Sequence, residues 1–314
     1  MIDFRFHLIS LVAVFLALGL GVLMGSVVLD QALTNRLQSN VAQLQKDKND
    51  FQEEVLSLED RLSANVRFAD VAEEWLLRGR LRGQKVVVMR FGGTDDRVID
   101  GVRTSIEAAG GELASDIVLT DKFRLPSQIE RDQLALVVAS TSGTAADLRA
   151  EAGETIGTRL ATAALAGENE GRINAAHSAA EGLIEDLADA GFVDLDRPDE
   201  GQLIPGRALF VLAGGGPETR PFNVSQLAID LAEAITDRGA ELLIAESSDS
   251  RWALVSAVRA TDVENDVTTV DDAESIAGRI AVGLALAESL EGVTGHYGVG
   301  PGAADVIPKP PPDE

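Results

Sequence analysis

The chain has 314 residues, 45% hydrophobic but only 4% aromatic, and carries a formal charge of −24 at pH 7. So acidic a chain lacks the Lys and Arg surplus that holds a phosphate backbone, which excludes nucleic acid as a partner and argues against a soluble part lying flat on an anionic leaflet. It has no cysteine, which excludes disulfides, thiolate metal sites and thiol nucleophiles.

Residues 1–7 contain Arg5 and His7, and residues 8–29 form an uncharged, mostly apolar run. A helix of about 20 apolar residues crosses a bilayer core, so this run predicts a transmembrane anchor. It is longer than the apolar core of a cleaved signal peptide, shows no A-x-A site at its end, and passes directly into Asp30 and more helix. The few basic groups precede the span and the acidic bulk follows it. The N-terminus is therefore expected in the cytoplasm, with residues 83–300 periplasmic and the chain single-pass in the cytoplasmic membrane. Gly21 and Gly25 match G-x-x-x-G, with Gly19 adding to a small face that lets two spans approach closely, although glycine is also simply common in spans.

Leu37, Leu44, Phe51 and Leu58 recur every seventh residue, with Val41, Lys48, Val55 and Leu62 between them. Read as d and a positions, they predict a coiled coil over about four heptads, and Val or Leu at a with mostly Leu at d suits a parallel homodimer. Lys48 at an a position lowers stability while disfavouring higher oligomers. The competing reading is an amphipathic helix folded onto its own domain. The helix is expected to continue through Trp75 and Leu76 to Arg82 and stop at Gly83. Residues 30–82 would then form a stalk of about 80 Å, at 1.5 Å per residue over roughly 50 residues.

From Lys85 the period changes. Residues 85–91 (KVVVMRF) are a short β-branched run of the kind buried in a parallel sheet, followed by Gly92-Gly93 and a helix over 95–109. Gly110-Gly111 ends that helix, and a strand is expected over 116–119. Ser127 and Glu130 make a capping box that opens a helix into Val138. Residues 145–166 and 173–190 are Ala-rich amphipathic stretches that either cover the sheet or form a helical insertion. The earlier order then recurs: strand 208–213, turn Gly214-Gly215-Gly216-Pro217, helix 222–238 closed by Gly239, and strand 241–245. A helix over 252–260, a short strand over 266–270 and a strong helix over 274–290 follow. Two strand–turn–helix–strand units predict an α/β head with a Rossmann-like, doubly wound sheet and a helical middle region. Residues 301–314, ending PKPPPDE, read as a disordered tail.

Chemical motifs are sparse. The glycine turns at Gly92-Gly93 and Gly214-Gly215-Gly216 sit where α/β proteins bind phosphate, yet neither is G-x-G-x-x-G or a P-loop. Asp194, Asp196, Asp199, Glu200 and Gly201 resemble a calcium loop only loosely, because Arg197-Pro198 interrupts the ligand positions; a solvated loop is the simpler reading. His7, His177 and His296 show no metal-ligand spacing, and no G-x-S-x-G elbow is present. The chain is read as non-enzymatic, with no cofactor. Gly295, His296, Tyr297 and Gly298 contain the only tyrosine among close-set glycines, and read either as a loop packing back on the head or as a partner contact.

The opening FHLISLVAVFLALGLGV at 6–22, the Gly25-Ser26 pair, the coiled stalk and the closing Gly295-His296-Tyr297-Gly298 segment together resemble the actinobacterial MctB-like family of copper-transport outer membrane proteins. The resemblance spans nearly the whole chain and rests mainly on its two ends. It implies a mycolate-type or related envelope and a part in copper resistance. Corynebacterial members are also linked to cell separation beside a cytoplasmic-membrane partner. The residues themselves strain a channel reading: a pore-forming barrel shows many alternating strands, and a copper site needs Cys, Met or His. Met1 is terminal, Met24 lies in the anchor and Met89 in a buried strand. The combined expectation is a dimeric, membrane-anchored scaffold or regulator of cell separation or envelope assembly, with copper efflux or homeostasis as the alternative.

Overall fold

The computed structural model describes residues 4–166, 170–196, 202–220 and 222–309, with side chains described over 6–25, 36–166, 175–196, 202–220 and 222–309. Asp199, Glu200 and Gly201 of the acidic segment and residues 310–314 lie outside them. The residues group into two compact units, Met1–Val66 and Arg67–Glu314.

Over its described residues the first unit is helix alone. It belongs to α1, a continuous helix over Phe4–Leu77, in which Phe6–Gly25 is long and apolar enough to cross a membrane.

The second unit opens with the end of α1 and continues as β1 (Lys85–Phe91), α2 (Asp96–Ala108), β2 (Glu112–Leu119), α3 (Gln128–Val137), α4 (Ala145–Ala164), α5 (Glu170–Asp189) and β3 (Val193–Asp196). Then follow β4 (Leu209–Gly214), α6 (Val224–Thr236), β5 (Leu242–Glu246), α7 (Leu254–Val258), β6 (Thr268–Val270), α8 (Ile276–Ser289) and β7 (His296–Tyr297). The strands form one seven-stranded sheet in the order β3-β2-β1-β4-β5-β6-β7. Every pairing is parallel except that of β3 with β2. The expected α/β class therefore holds as a mixed fold with a mostly parallel sheet.

Side chains alternate across the sheet, so each strand supplies two cores. Val86, Val88, Leu209, Val211, Leu243 and Ala245 join α2 and α8 on one face. Val87, Met89, Phe91, Phe210, Leu212 and Ile244 share the other with residues of α4, α5, α6 and α7. Burial on both faces explains why the strands read as continuous apolar runs. With few aromatics, the helices fill space by close approach instead: a Cβ on Gly157 of α4 would lie 2.8 Å from the Ala234 Cβ and 2.9 Å from the Leu231 carbonyl of α6.

The local signals are chemical. Asp95 caps α2 through the Arg97 amide, and Ser127 and Glu130 form the reciprocal capping box of α3. Four differences from the sequence reading have physical causes. First, α1 ends at Leu77, not Arg82, because Leu77 and Leu81 are fully buried in the core, with Gly79 at φ +76° in the intervening turn. Second, β2 begins at Glu112, ahead of the expected 116, and extends along all of β1. Third, Asp194 and Asp196 sit in an antiparallel edge strand instead of a loop, with Val193 buried. Alternating carboxylates on an edge strand keep further strands from adding. Fourth, the reading of 301–314 as a disordered tail does not hold for its first part. Pro301 accepts from Arg259 and the Gly298 amide donates to Asp305, which ties this stretch to the sheet edge.

The end of α1 is fastened to the head by a bidentate ion pair. Arg279 of α8 places Nε 2.8 Å and Nη2 2.7 Å from the Glu73 carboxylate, and Glu73 is only 6% exposed. The pair raises the Arg279 pKa through this hydrogen bond. Arg279→Met is expected to cost about 3 kcal/mol, because it strands a buried carboxylate, whereas adding Glu73→Leu recovers most of that loss. Chemical denaturation of the two variants checks the pair.

Candidate functional site

Three places carry the residues that the sequence singled out. The first is the helical unit Met1–Val66. Its heptad residues Leu37, Val41, Leu44, Phe51, Val55, Leu58 and Leu62 are between 41% and 71% exposed, and Lys48 on the same stripe is exposed as well. Nothing lies within 4 Å of where a Cβ would stand on Gly21 or Gly25. In water such a stripe of large apolar side chains is costly unless something covers it.

The second place is the carboxyl edge of the sheet, where strand order reverses between β1 and β4 and open α/β sheets bind ligands. Here the two glycine turns close on each other: the Asp95 amide donates to the Gly215 carbonyl at 2.9 Å. A Cβ on Gly214 would stand 2.1 Å from Leu254 Cδ1, and one on Gly215, at φ +114°, 2.9 Å from the Ser247 amide. Arg220 fills the space before Gly93, its guanidinium 4.9 Å from the Trp252 ring and paired with Asp121. Burial lowers the Arg220 pKa. The glycines are thus required by packing between neighbouring turns.

Beside this crevice lies a cavity of about 160 Å³ lined in part by Glu246, Ser250, Arg259 and Asp271. Its carboxylates already serve the fold. Glu246 accepts from the Leu254 and Val255 amides at 3.1 and 2.8 Å and from Ser250 Oγ at 2.6 Å.

The third place is the closing segment. His296 and Tyr297 form β7 against Thr269 and Val270. The Tyr297 hydroxyl donates to Glu288 at 2.8 Å, and His296 Nδ1 lies 2.9 Å from Thr269 Oγ1. Gly295 leaves room for the tyrosine ring, and Gly298, at φ +123°, for the Asp271 carboxylate. That carboxylate accepts from the Val299 and Gly300 amides at 2.7 and 2.8 Å and from Arg259 at 2.5 Å. Arg259 also donates to Thr269 and to the carbonyls of Tyr297 and Pro301. Burial, then the Glu288 carboxylate, holds the Tyr297 phenol above its usual range. Burial, with Arg259 nearby, lowers the His296 pKa. The Arg259–Asp271 hub is invisible in sequence, since an Arg and an Asp twelve residues apart in an acidic chain carry no spacing signal.

Of the candidate ligands for copper, Met89 is fully buried in β1, His177 is buried in α5, and His296 belongs to the segment just described. Among the described residues no group of three or more His, Cys, Asp or Glu is placed to hold a metal ion.

Fold and surfaces define a class: an α/β protein with a mostly parallel sheet, led by a long helix whose first turns have the length and composition of a membrane span. The comparison with known proteins narrows it. Residues 1–308 match the family model described as "Copper transport outer membrane protein, MctB", and the chain belongs to that family. "Copper transporter MctB" of Mycobacterium tuberculosis is 30% identical over 318 residues, covering 98% of this chain and 99% of its own. The protein of the same name from Mycobacterium leprae is 27% identical over 317 residues, with 98% and 99% covered.

The histidine shift gives a pH signature. A histidine whose folded pKa lies below its ordinary value of 6.5 stabilises the fold above that value, and this contribution is lost as pH falls from 6.5 toward the folded pKa. The stability difference between the wild type and His296→Gln should therefore shrink on acidification from pH 7.5 to pH 5.5, about one unit either side of the ordinary histidine value. Thermal melts of both proteins across this range check it; a constant difference would contradict the burial of His296.

Proposed function

We propose that this chain serves copper homeostasis in a cell envelope as a single-span, non-enzymatic protein that acts through surfaces offered to a second copy of itself and to other envelope proteins. The observation that carries the reading is the exposed heptad stripe from Leu37 to Leu62 on an uninterrupted helix. Its spacing supports a parallel two-stranded coiled coil, with Gly21 and Gly25 on the paired spans. A sheet whose strand order turns at β1 and β4 supports reading the second unit as a Rossmann-like, doubly wound head. The N-terminus is cytoplasmic and the head extracytoplasmic, from the charge bias across the span.

The copper link rests on the printed names of the family and its relatives. Copper is cargo or stress in this reading, and the described residues do not fit a resident copper site, lacking a cluster of soft or imidazole ligands. Nor do they fit a pore of their own: the strands make one sheet buried on both faces, with no strand face for lipid. Copper movement is then the work of a partner that this protein positions or regulates. A part in cell separation or envelope assembly uses the same docking chemistry and is read in the same strain as cells that fail to part.

Complementation of a deletion strain tests the reading. The wild type restores growth on copper, whereas Leu44→Lys with Phe51→Lys does not, though the protein is made and reaches the membrane. A variant that keeps only the terminal Met1 and the buried Met89 and His177 as soft or imidazole ligands, Met24→Leu with His7→Asn and His296→Gln, restores growth in full. The reverse pattern would show that the chain handles copper directly.

A further inference from the structure

The closing segment does more than finish the sheet, because it also walls a cavity. At the crossover between β1 and β4 the carboxyl edge is filled by Trp252 and Arg220. Past that point, over β5 and β6, the cavity of about 160 Å³ remains. It lies among the loop after β5, helix α7, Asp271 just past β6, and residues 299–301. Ligands of open α/β sheets enter outside such carboxyl ends.

The wall is fixed in advance. Asp271 accepts from the Val299 and Gly300 amides at 2.7 and 2.8 Å, and Arg259 donates to the Pro301 carbonyl at 3.0 Å. A Cβ on Gly300 would stand 2.9 Å from Asp271 Oδ2, so glycine lets the backbone come this close. A preformed wall spares a ligand the entropy of ordering a loop.

The hydrogen-bonding capacity left in the cavity decides what it can take. Glu246 accepts from the Leu254 and Val255 amides and the Ser250 hydroxyl, and Asp271 from two amides and Arg259. A carboxylate has about four acceptor positions, so Glu246 Oε2 and Asp271 Oδ2 each keep one. Ser247, 3% exposed, lines the same cavity, and its hydroxyl has no hydrogen-bond partner among the described residues. A buried hydroxyl left unpaired is costly, and it needs a partner that can give and receive. The Arg259 guanidinium in the lining disfavours a cation, and the two carboxylates disfavour an anion. A neutral hydroxyl meets all three demands. Val255, Val299 and Pro301 add apolar wall for a carbon skeleton.

We infer that this cavity is a subsite for a neutral polyhydroxyl group, either a short polyol or a single sugar ring. Ser247 exchanges hydrogen bonds with one ligand hydroxyl, and Glu246 and Asp271 accept from its neighbours. The volume is well below the roughly 300 Å³ at which pockets for drug-sized ligands begin, so one such group fills it. The inference is independent of copper and of any pairing through α1.

The test uses the full chain in phosphatidylcholine nanodiscs and saturation-transfer NMR of added probes. Erythritol stands for the short polyol and methyl α-D-glucopyranoside for the ring, with ethanolamine and acetate as charged comparisons. Saturation of erythritol alone assigns the subsite to polyols and of the glucoside alone to sugars; either result, or both, supports the inference. Ser247→Ala should weaken binding about fivefold, the loss of one hydrogen bond. Ser256→Phe, at an exposed position of α7 that lines the cavity, should abolish binding while leaving the core intact. Silence from both neutral probes up to about 50 mM, well past the millimolar range of weak binding, overturns the inference. So does stronger binding of ethanolamine or acetate, an unchanged affinity in Ser247→Ala, or binding that survives Ser256→Phe.

Discussion

A parallel sheet must be dry on both faces, and that requirement organises the head. Crossovers between parallel strands place helices above and below, and the strands answer with apolar side chains in both directions. Val87 and Val88 are neighbours in sequence yet belong to opposite cores. A chain poor in aromatics meets the demand with Ala, Val, Leu and Ile and with glycines where helices press together, as α4 does on α6 at Gly157. The antiparallel edge strand β3 protects one end with alternating carboxylates, and the Arg259–Asp271 hub secures the segment that finishes the other.

The same constraint narrows where function can reside. A sheet sealed on both sides has no face for lipid and no lumen. Its ligand-prone edge is occupied by its own Trp252, Arg220 and Leu254, packed over the glycine turns. Among the described residues, the longest run of outward-facing large apolar side chains is on α1 and includes the heptad stripe from Leu37 to Leu62. Membership in the MctB family ties the protein to copper through the family's name, and work through protein contacts is our proposal.

Much of the fold was legible from local chemistry. The run KVVVMRF announced β1, Ser127 with Glu130 announced α3, and the second strand–glycine–helix–strand unit announced β4 through β5. What stayed hidden depends on distant contacts. Asp194 and Asp196 look like solvated loop residues until β2 is there to pair with them. The end of α1 is marked by Gly79, at φ +76° just past Leu77, but the sequence offers Gly83 as a second stop, and burial of Leu77 and Leu81 in the core favours the earlier one. Glu73 and Arg279, joined across 206 residues, are two unremarkable charges in a chain with 51 acidic and 27 basic side chains. At the closing segment, the glycines flanking Tyr297 stood out in sequence, but the Asp271 carboxylate that one of them accommodates did not.

The central claim is that α1 pairs with a second α1 along Leu37 to Leu62, in parallel and in register. A spin label at Leu44→Cys of the full chain in lipid bilayers, read by pulsed dipolar spectroscopy, tests it most directly. Helices that pack at an axial separation of about 8–10 Å bring two such labels close together. A narrow short-distance peak, lost in Phe51→Lys, is the predicted result. The absence of dipolar modulation at protein densities that retain the native fold would contradict the account.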